Sequence, residues 1–221
     1  MSRKNPTQAE IAQAAATLGR PIDNAQAGLL LAYLEQLIKW NRKMNLVGPS
    51  DWDDIIDTLV VDSLFLADFL GDLNTGDEPL TLDLGAGAGL PGIPLRILWQ
   101  AGSYWLVEVR EKRSTFMRSV LGKLRLPNTH VFHGKAEHAL ENLTESGNTA
   151  TADLILSRAF MPWPKLLEFV HPMLKDNGTI VIMANTPPPA DGELPDAWKL
   201  GDVARYPAAG NERYFWSLIK R

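Results

Sequence analysis

Residues 80–92 read L-T-L-D-L-G-A-G-A-G-L-P-G, a mostly apolar run that breaks into three closely spaced glycines. The run up to Asp83 is typical of a buried strand, and glycine tolerates the positive φ angles of a tight turn. Pro91 suits the first turn of a helix, where its missing N–H costs nothing. The segment therefore predicts a strand, a glycine turn and a helix N-terminus, an arrangement that binds nucleotide-type ligands at the carboxyl end of a parallel strand.

The composition is that of a globular chain. Its 221 residues are 45% hydrophobic and 22% charged, which predicts one domain of ordinary size with a substantial core. There is no cysteine, which excludes disulfides, thiolate metal sites and cysteine nucleophiles. Because no apolar run reaches the roughly 18 residues of a membrane span and no signal-type apolar core follows the first residues, we expect a cytoplasmic protein.

Charge is distributed unevenly, although the formal net charge is only −4. Residues 51–83 contain ten acidic residues and no Lys or Arg, whereas residues 96–135 contain eight bases and two acids. Such asymmetry can make one face attractive to phosphate groups. Six of the bases lie on or before one predicted helix and fit either an RNA-contacting patch or a solvated helix face: Arg110, Lys112, Arg113, Arg118, Lys123 and Arg125.

The pattern before residue 80 is helical. Thr7 and Glu10 have the spacing of a capping box for a first helix ending near Leu18. A second helix follows Pro21, since Leu30, Leu34, Leu37 and Ile38 recur on one helical face. Residues 51–70 repeat the helical pattern. We therefore expect a helical N-terminal extension, residues 1–78, packed on an α/β domain formed by residues 79–221.

Beyond residue 80, apolar runs alternate with helical segments, which predicts an α/β fold with a doubly wound, mostly parallel sheet. Helices are expected after Pro91, Glu111, Glu137 and Trp163. Strands are predicted at Leu80–Leu84, Tyr104–Glu108, His130–Phe132, Asp153–Ser157 and Thr179–Ala184, with a closing hairpin from Lys199–Arg205 and Tyr214–Ile219.

The glycine turn fits two classes of ligand. Gly87, Gly89 and Gly92 match a dinucleotide fingerprint, which alone is weak evidence. The form D-x-G-x-G-x-G over residues 83–89 favours S-adenosylmethionine, because Asp83 stands where it can attract the cationic amino or sulfonium side of that cofactor; a turn-capping carboxylate is the other interpretation. Glu108 ends the second strand, suited to accept hydrogen bonds from ribose hydroxyls of either ligand.

The acceptor of a methyl group is constrained by what the chain lacks. Transfer from a sulfonium is an in-line displacement in which the enzyme mainly aligns and desolvates the reactants. Pyrimidine C5 methylation would need a cysteine nucleophile, and exocyclic amine methylation commonly uses an N-P-P-Y-like loop where this chain has S-R-A-F at 157–160. Guanine N7 carries a lone pair and no proton, so the absence of an evident acid–base pair fits that acceptor.

Arg158 is the strongest side-chain candidate, because it ends the fourth strand at the mouth of the ligand crevice. It can bind RNA phosphate, guanine or the cofactor carboxylate, or form a surface ion pair. Phe160 and Trp163 either stack on a base or pack in the core. No metal is expected, because the histidines lack metal-site spacing: His130, His133, His138 and His171.

With these residues in hand, the chain resembles the bacterial ribosomal RNA small subunit methyltransferase G family, also called glucose-inhibited division protein B. The resemblance runs from the second helix to the C-terminus. Its motifs are K-W-N-R-K-M-N-L at 39–46, D-S at 62–63, D-L-G-A-G-A-G-L-P-G-I-P-L at 83–95, Lys112-Arg113, S-R-A-F at 157–160 and E-R-Y-F-W-S-L-I-K at 212–220.

The resemblance implies a class I S-adenosylmethionine-dependent methyltransferase fold, Rossmann-like with a mostly parallel seven-stranded sheet, and methyl transfer to N7 of a guanine in small-subunit (16S) ribosomal RNA. By motif position, Gly85 and Leu90 line the cofactor site beside Gly87 and Gly89, and Glu108 holds the ribose. Further positions implied are Ala136 and Glu137 flanking the adenine, and Arg158 between cofactor and substrate. The implied partner is small-subunit RNA or a ribosomal particle, bound by a monomer, with no membrane or DNA.

Two segments depart from the family pattern. Where R-H-x-x-D-S is usual, this chain has T-L-V-V-D-S at 58–63, and where L-K-G is usual after the fifth strand it has A-N-T at 184–186. These departures are the argument for an alternative, a methyltransferase of the same fold acting on another acceptor. A catalytically silent ribosome-assembly factor is a further alternative, and a NAD-dependent dehydrogenase is the outside one.

Overall fold

The structure is a computed structural model that describes residues 6–143, 151–190 and 192–221. Seven strands form one sheet in the order β3-β2-β1-β4-β5-β7-β6. Neighbouring strands are parallel except that β7 runs antiparallel to both β5 and β6. The strands are β1 (Leu80–Leu84), β2 (Ser103–Glu108), β3 (Thr129–His133), β4 (Ala152–Arg158), β5 (Leu174–Ala184), β6 (Trp198–Ala208) and β7 (Asn211–Lys220).

The predicted α/β architecture with a mostly parallel sheet is therefore confirmed, as is the closing hairpin. The helices are α1 (Gln8–Thr17), α2 (Asn24–Met44), α3 (Trp52–Ile55), α4 (Val61–Asp72), α5 (Gly92–Leu98), α6 (Glu111–Leu124) and α7 (Trp163–Val170). Apolar clusters lie on both faces of the sheet. The first joins α1, α2, α4, α5 and α6 to one face, and the second joins α7 to the other.

The N-terminal helices begin and pack as their sequences predict. Thr7 and Glu10 form a reciprocal capping box at the start of α1, which satisfies backbone donors that a helix end leaves free. Leu30, Leu34 and Leu37 of α2 are buried in the first cluster. Helix α2 ends at Met44, and the next residue, Asn45, caps it with a φ of +51°.

The single helical segment predicted over residues 51–70 is divided. Helix α3 is followed by a π-helical turn at Ile56–Val60 and then by α4. A π-helical turn adds a residue to a helical turn and frequently marks a functional site. This turn places Thr58 and Leu59 at the carboxyl edge of the sheet, beside the cavity described below.

The helix predicted after Glu137 is wrong. Up to Leu143, where the described range ends, the chain forms two short 3₁₀ turns, Ala136–His138 and Glu141–Leu143. Within this segment Ala136, Ala139 and Leu140 are buried, too few apolar positions to hold a marginal helix against the sheet. The following residues, 144–150, lie outside the described residues.

Arg96, one of the eight bases counted in residues 96–135, does not contribute to the surface charge. Its side chain is fully buried, and its guanidinium donates to five backbone carbonyls and to the hydroxyl of Thr129. These bonds close the loop from α5 to β2 and tie it to β3. One of the eight bases in residues 96–135 thus serves the interior, while Arg110, Lys112 and Arg118 are exposed.

Across the three described ranges of the chain, none of the helices is both long enough and apolar enough to pass through a membrane.

Candidate functional site

The turn after β1 has the conformation that its glycines predict. Gly85, Gly87 and Gly89 have φ angles of +71°, +60° and +76°, a region that side chains with a Cβ rarely adopt. The backbone N–H of Gly85 donates to the carbonyl oxygen of Val107 at 2.9 Å, which ties the turn to β2. A Cβ on Gly85 would lie 2.9 Å from the ring of Phe160, so packing also requires glycine there.

Glu108 is fixed at the carboxyl end of β2 by two backbone donors. Its carboxylate accepts from the N–H of Gly87 at 3.0 Å and from the N–H of Arg110 at 2.8 Å. Arg113 approaches the same carboxylate, with its Nη1 3.9 Å from Oε2. The carboxylate therefore stands against the glycine turn in one orientation, with lone pairs remaining for a ligand.

Val109 was missed by the sequence analysis. It follows Glu108 directly and is 58% exposed, one of two large exposed hydrophobic residues in the described part of the chain. An apolar side chain beside a fixed carboxylate offers a flat base a surface to pack on. Sequence pattern could not find it, because a valine after a strand is ordinarily assigned to the core.

Asp83 lies beneath the turn instead of on its open side. It is 1% exposed, and its Oδ2 accepts from the hydroxyl of Tyr104 at 3.1 Å. Burial raises the pKa of Asp83 to about 7, although Tyr104, Arg158 and the N–H of Gly92 act in the opposite direction. A Cβ on Gly92 would collide with this carboxylate, so glycine is required for the close approach.

The remaining residues expected at the cofactor site surround the same turn. Leu90 is buried, and its N–H donates to the carbonyl oxygen of Ala86 at 3.2 Å. The N–H of Gly134 donates to the carbonyl oxygen of Glu108 at 3.1 Å, which brings the segment with Ala136 and Glu137 beside the end of β2. Ala136 is buried and Glu137 is exposed.

Arg158 is part of a buried charged cluster. Its Nη1 donates to Oδ2 of Asp62 at 2.9 Å, and Asp62 is only 2% exposed. Nη1 of Arg213 and the hydroxyl of Tyr206 donate to the other oxygen, at 2.5 and 2.9 Å. The surface ion pair considered for Arg158 is therefore replaced by a pair with a buried carboxylate, which holds the guanidinium in place.

This cluster forms one wall of a cavity of about 350 Å³. The π-helical turn and the end of β5 also line the cavity, with Thr58, Leu59, Met183 and Asn185. Both departures from the family sequence pattern thus meet in one cavity, at Leu59 and at Asn185. Arg213 and Tyr206 were missed as site residues, because they come from a hairpin more than 140 positions after Asp62.

The aromatic residues after β4 pack internally. The ring of Phe160 lies 5.7 Å from that of Phe169, and Trp163 meets Trp216 edge to face at 6.2 Å. His130 stacks on Trp105 at 4.6 Å. Within residues 6–143, 151–190 and 192–221, no group of three or more His, Asp or Glu side chains is placed to hold a metal ion.

Comparison with known proteins gives sequence relatives over most of the chain. A protein named ribosomal RNA small subunit methyltransferase G from Nitratidesulfovibrio vulgaris is 49% identical over 189 residues, covering 86% of this chain and 83% of the relative. One of the same name from Lawsonia intracellularis is 39% identical over 211 residues, covering 96% and 94%.

Solved structures share the fold at low sequence identity. An O-methyltransferase from Bacillus cereus, solved in complex with S-adenosylhomocysteine, is 16% identical with a TM-score of 0.63 and covers 95% of this chain and 97% of that one. A structure described as a putative O-methyltransferase from Klebsiella pneumoniae is 15% identical with a TM-score of 0.60, and the match covers 97% of this chain and 99% of that one. The fold is therefore that of class I methyltransferases.

The sequence model of the family described as rRNA small subunit methyltransferase G matches residues 26–189, a span that contains the glycine turn, Glu108, Asp62 and Arg158. The predicted resemblance is confirmed, and the chain belongs to the rRNA small subunit methyltransferase G family.

Proposed function

We propose that this protein transfers a methyl group from S-adenosylmethionine to N7 of a guanine in small-subunit (16S) ribosomal RNA. The observation that carries the proposal is the fixed carboxylate of Glu108 against a glycine turn, in a chain whose relatives are named for methylation of small-subunit ribosomal RNA. A strand-end carboxylate of this kind accepts hydrogen bonds from ribose hydroxyls.

The residues of the turn and its neighbours fit S-adenosylmethionine. Glu108 would accept the ribose hydroxyls, and Val109 would pack on the adenine from its exposed position. Ala136 and Glu137 would flank the adenine from the other side, since their segment is held beside Glu108 through Gly134. The turn residues line the rest of the site: Gly85, Gly87, Gly89 and Leu90.

In this proposal Asp83 lies beneath the glycine turn and does not contact the cofactor. Since its side chain is buried and bonded to Tyr104, it supports the turn, and its charge reaches the ligand through the buried interior instead of through contact. Low dielectric surroundings make such a charge effective over several ångströms. Release of a proton on cofactor binding is the expected sign that this charge attracts the cationic side of the cofactor.

Methyl transfer to guanine N7 needs no general acid or general base. The cofactor supplies a methyl group already activated by a sulfonium, and guanine N7 offers a lone pair without a proton to remove. The protein must align the two reactants and exclude water. Arg158, fixed by Asp62 between the turn and the cavity, is the residue we assign to placing the acceptor nucleotide.

An RNA-binding surface is proposed where α2 meets α6. The rings of Trp40 and Phe116 lie 5.6 Å apart, and Lys123 pairs with Glu35 at 3.6 Å, so the C-terminus of α2 lies near the N-terminus of α6. The bases at these two ends then share one side of the molecule, next to Glu108: Lys39, Arg42, Lys43, Arg110 and Lys112. Positive charge of this density supports phosphate binding.

The remaining expectations about assembly stay part of the proposal. We propose that the protein acts as a monomer in the cytoplasm on small-subunit RNA or ribosomal particles, without membrane or DNA partners. Helices α1, α2 and α4 pack on the sheet through a shared apolar cluster, which supports treating residues 1–78 as an extension packed on the domain of residues 79–221.

The experiment that tests the function is mapping of N7-methylguanine in small-subunit ribosomal RNA from cells with and without this protein. A site that is methylated only in the presence of the protein, and by purified protein on particles from the deficient cells, is the expected result. Particle binding without transfer would instead indicate an assembly factor. Transfer to a small molecule but not to RNA would indicate another acceptor.

A further inference from the structure

The residues that line the cavity beside Asp62 carry a net positive charge. Arg158 and Arg213 share the single carboxylate of Asp62, and the other described residues that line the cavity are neutral. Two guanidinium groups against one carboxylate leave a formal charge of +1. Since partly buried charges are screened less than exposed ones, this charge favours an anionic ligand.

The carboxylate of Asp62 is already engaged by three hydrogen bonds within the protein. One oxygen accepts from Arg158, and the other accepts from Arg213 and from Tyr206. Burial and the neighbouring Asp62 raise the pKa of Tyr206, so its hydroxyl stays a donor. Because Asp62 is also only 2% exposed, its main effect is to fix the positions of the two guanidinium groups.

Arg158 and Arg213 each have guanidinium N–H groups that make no hydrogen bond within the described part of the chain. In the described part of the chain, Arg158 bonds through Nη1 to Asp62, and Arg213 bonds through Nη1 to Asp62 and to the carbonyl oxygen of Thr58 at 2.8 Å. Nε and Nη2 of both residues make no hydrogen bond there. The side chains are 29% and 22% exposed, and both line the cavity.

We propose that this cavity is a subsite for a phosphodiester of the acceptor RNA, bound by the free guanidinium N–H groups of Arg158 and Arg213. The inference rests on the proposed function and adds the part of the substrate that the cavity recognises. A phosphodiester carries one negative charge, so its binding brings the cluster to a formal charge of zero. Guanidinium groups suit phosphate because several parallel N–H donors meet its oxygens.

The charge change of the reaction argues against the guanine base as the occupant. Methylation of N7 leaves a positive charge on the base, which two arginines would repel as it develops. A phosphate keeps its negative charge throughout the reaction, so its attraction to the arginines is unchanged by methyl transfer. The arginines would then place the nucleotide while the base itself reaches the glycine turn.

The position of Arg213 argues against the cofactor carboxylate. Arg213 lies on β7, three strands from β1 in the sheet order, and adjacent strands are about 4.8 Å apart. The cavity is thus on the far side of Arg158 from Glu108. Asn185 lies on its rim, exposed and outside the Asp62 cluster.

The test is the salt dependence of binding to small-subunit particles from cells lacking the protein. Each phosphate contact contributes roughly 0.7 to 0.9 to the slope of log affinity against log salt concentration. We expect Arg213→Gln to lower this slope by about one contact and to leave the affinity for S-adenosylhomocysteine within about twofold. Arg205→Gln is the matched control, because Arg205 lies on the same hairpin but pairs with the exposed Glu212, and it should leave the slope unchanged.

A second variant guards against a folding defect, since Arg213 is tied to Asp62. Asn185→Glu places a carboxylate on the exposed rim without touching the cluster, and it should weaken particle binding severalfold at low salt. Unchanged slope in Arg213→Gln, or unchanged binding in Asn185→Glu, would overturn the proposal. So would an equal loss of slope in Arg205→Gln, or a tenfold loss of S-adenosylhomocysteine affinity in Arg213→Gln, which would assign the arginine to the cofactor.

The two proposals fail in different ways. Methyl transfer by the wild-type protein is measured on the same particles, and its absence would contradict the proposed reaction. The slope of log affinity against log salt concentration is measured without turnover. It therefore tests phosphodiester binding in the cavity whether or not a methyl group is transferred.

Discussion

Gly87 donates its backbone N–H to the carboxylate of Glu108 at 3.0 Å across 21 positions of sequence. This bond joins the turn after β1 to the end of β2, so the glycine turn and the carboxylate that we propose binds the ribose are held together. Gly87 makes this bond with a φ of +60°, an angle that residues with a Cβ rarely adopt. A residue that resists this angle should therefore disturb both parts of the cofactor site.

We expect Gly87→Val to abolish the rise in melting temperature that S-adenosylhomocysteine gives the wild-type protein. A β-branched residue strongly disfavours positive φ, and its Cβ would lie 3.5 Å from Nη1 of Arg113, the residue that approaches Glu108. Differential scanning fluorimetry with S-adenosylmethionine, S-adenosylhomocysteine and NAD measures the effect, since a ligand that binds only the folded state raises the melting temperature.

Gly122→Ala provides the matched control. Gly122 lies in α6 with no atom within 4 Å of an added Cβ, and alanine in a helix is favoured over glycine by roughly 0.5 to 1 kcal/mol. This variant should melt slightly higher and keep the full ligand shift. A rise in melting temperature with NAD but none with S-adenosylhomocysteine would contradict the assignment of S-adenosylmethionine as the cofactor.

Asp83 should make the stability of the protein depend on pH. Its pKa is about 7 in the folded protein against an ordinary value of 3.8, so the folded state binds the proton more tightly than the unfolded state. The corresponding stabilisation is complete below about pH 4 and is lost as the pH rises through about 7, at up to 1.4 kcal/mol per unit.

Asp83→Asn cannot ionise and should lack this dependence. Urea unfolding of the protein without cofactor, between about pH 5 and pH 8, should show wild-type stability falling relative to that of the variant. Parallel curves for the two proteins over this interval would mean that Asp83 ionises in the folded state with an ordinary pKa.

Cofactor binding should release a proton if the positive charge of S-adenosylmethionine is felt by Asp83. A nearby cation favours the ionised carboxylate and lowers its pKa, so the proton held near neutral pH is given up. Calorimetric titrations in buffers of different ionisation enthalpy measure the number released. Binding without proton release, equal in wild type and Asp83→Asn, would leave Asp83 as a support beneath the turn and remove it from cofactor attraction.

The exposed bases of α6 should matter for RNA and not for the cofactor. We expect the double charge reversal Lys112→Glu with Arg118→Glu to weaken particle binding and flatten its salt dependence. Arg113 is left intact, because it lies 3.9 Å from Glu108 and its reversal would disturb the cofactor site as well. Equal particle binding by the double variant and the wild type would mean that these bases are only solvated and do not contact RNA.

The sequence predicted those parts of the site that are local in the chain. The strand, turn and helix around residues 80–92 are set by glycine and proline preferences that act within a few residues, and β1 has the predicted bounds. The position of Glu108 at the end of β2 was predicted correctly, because the end of a strand follows from its apolar pattern. The prediction of a helix after Glu137 was wrong because the few apolar residues of this segment do not distinguish a helix from a turn.

The cluster around Asp62 could not be predicted in the same way. Arg158 and Arg213 reach Asp62 across 96 and 151 positions, and no periodicity connects positions so far apart. The position of Asp83 beneath the turn follows from Tyr104 and Gly92, whose roles also appear only once β1 and β2 are paired. Long-range contacts of charged and polar groups are thus what the fold adds to the sequence.

Arg158→Ala should lower methyl transfer by one to two orders of magnitude, a loss of roughly 1.4 to 2.8 kcal/mol in transition-state stabilisation. The variant removes the guanidinium that Asp62 holds at the mouth of the cavity, while Asp62 keeps Arg213 and Tyr206 as donors. Arg158→Lys should recover only part of the rate, since an ammonium cannot reproduce the planar fork of donors. Because N7 has no proton to lose, the rate should also show no bell-shaped pH profile that reports a catalytic base. Single-turnover transfer to small-subunit particles from cells lacking the protein is the measurement, and a folded Arg158→Ala protein with wild-type rates would exclude Arg158 from the site.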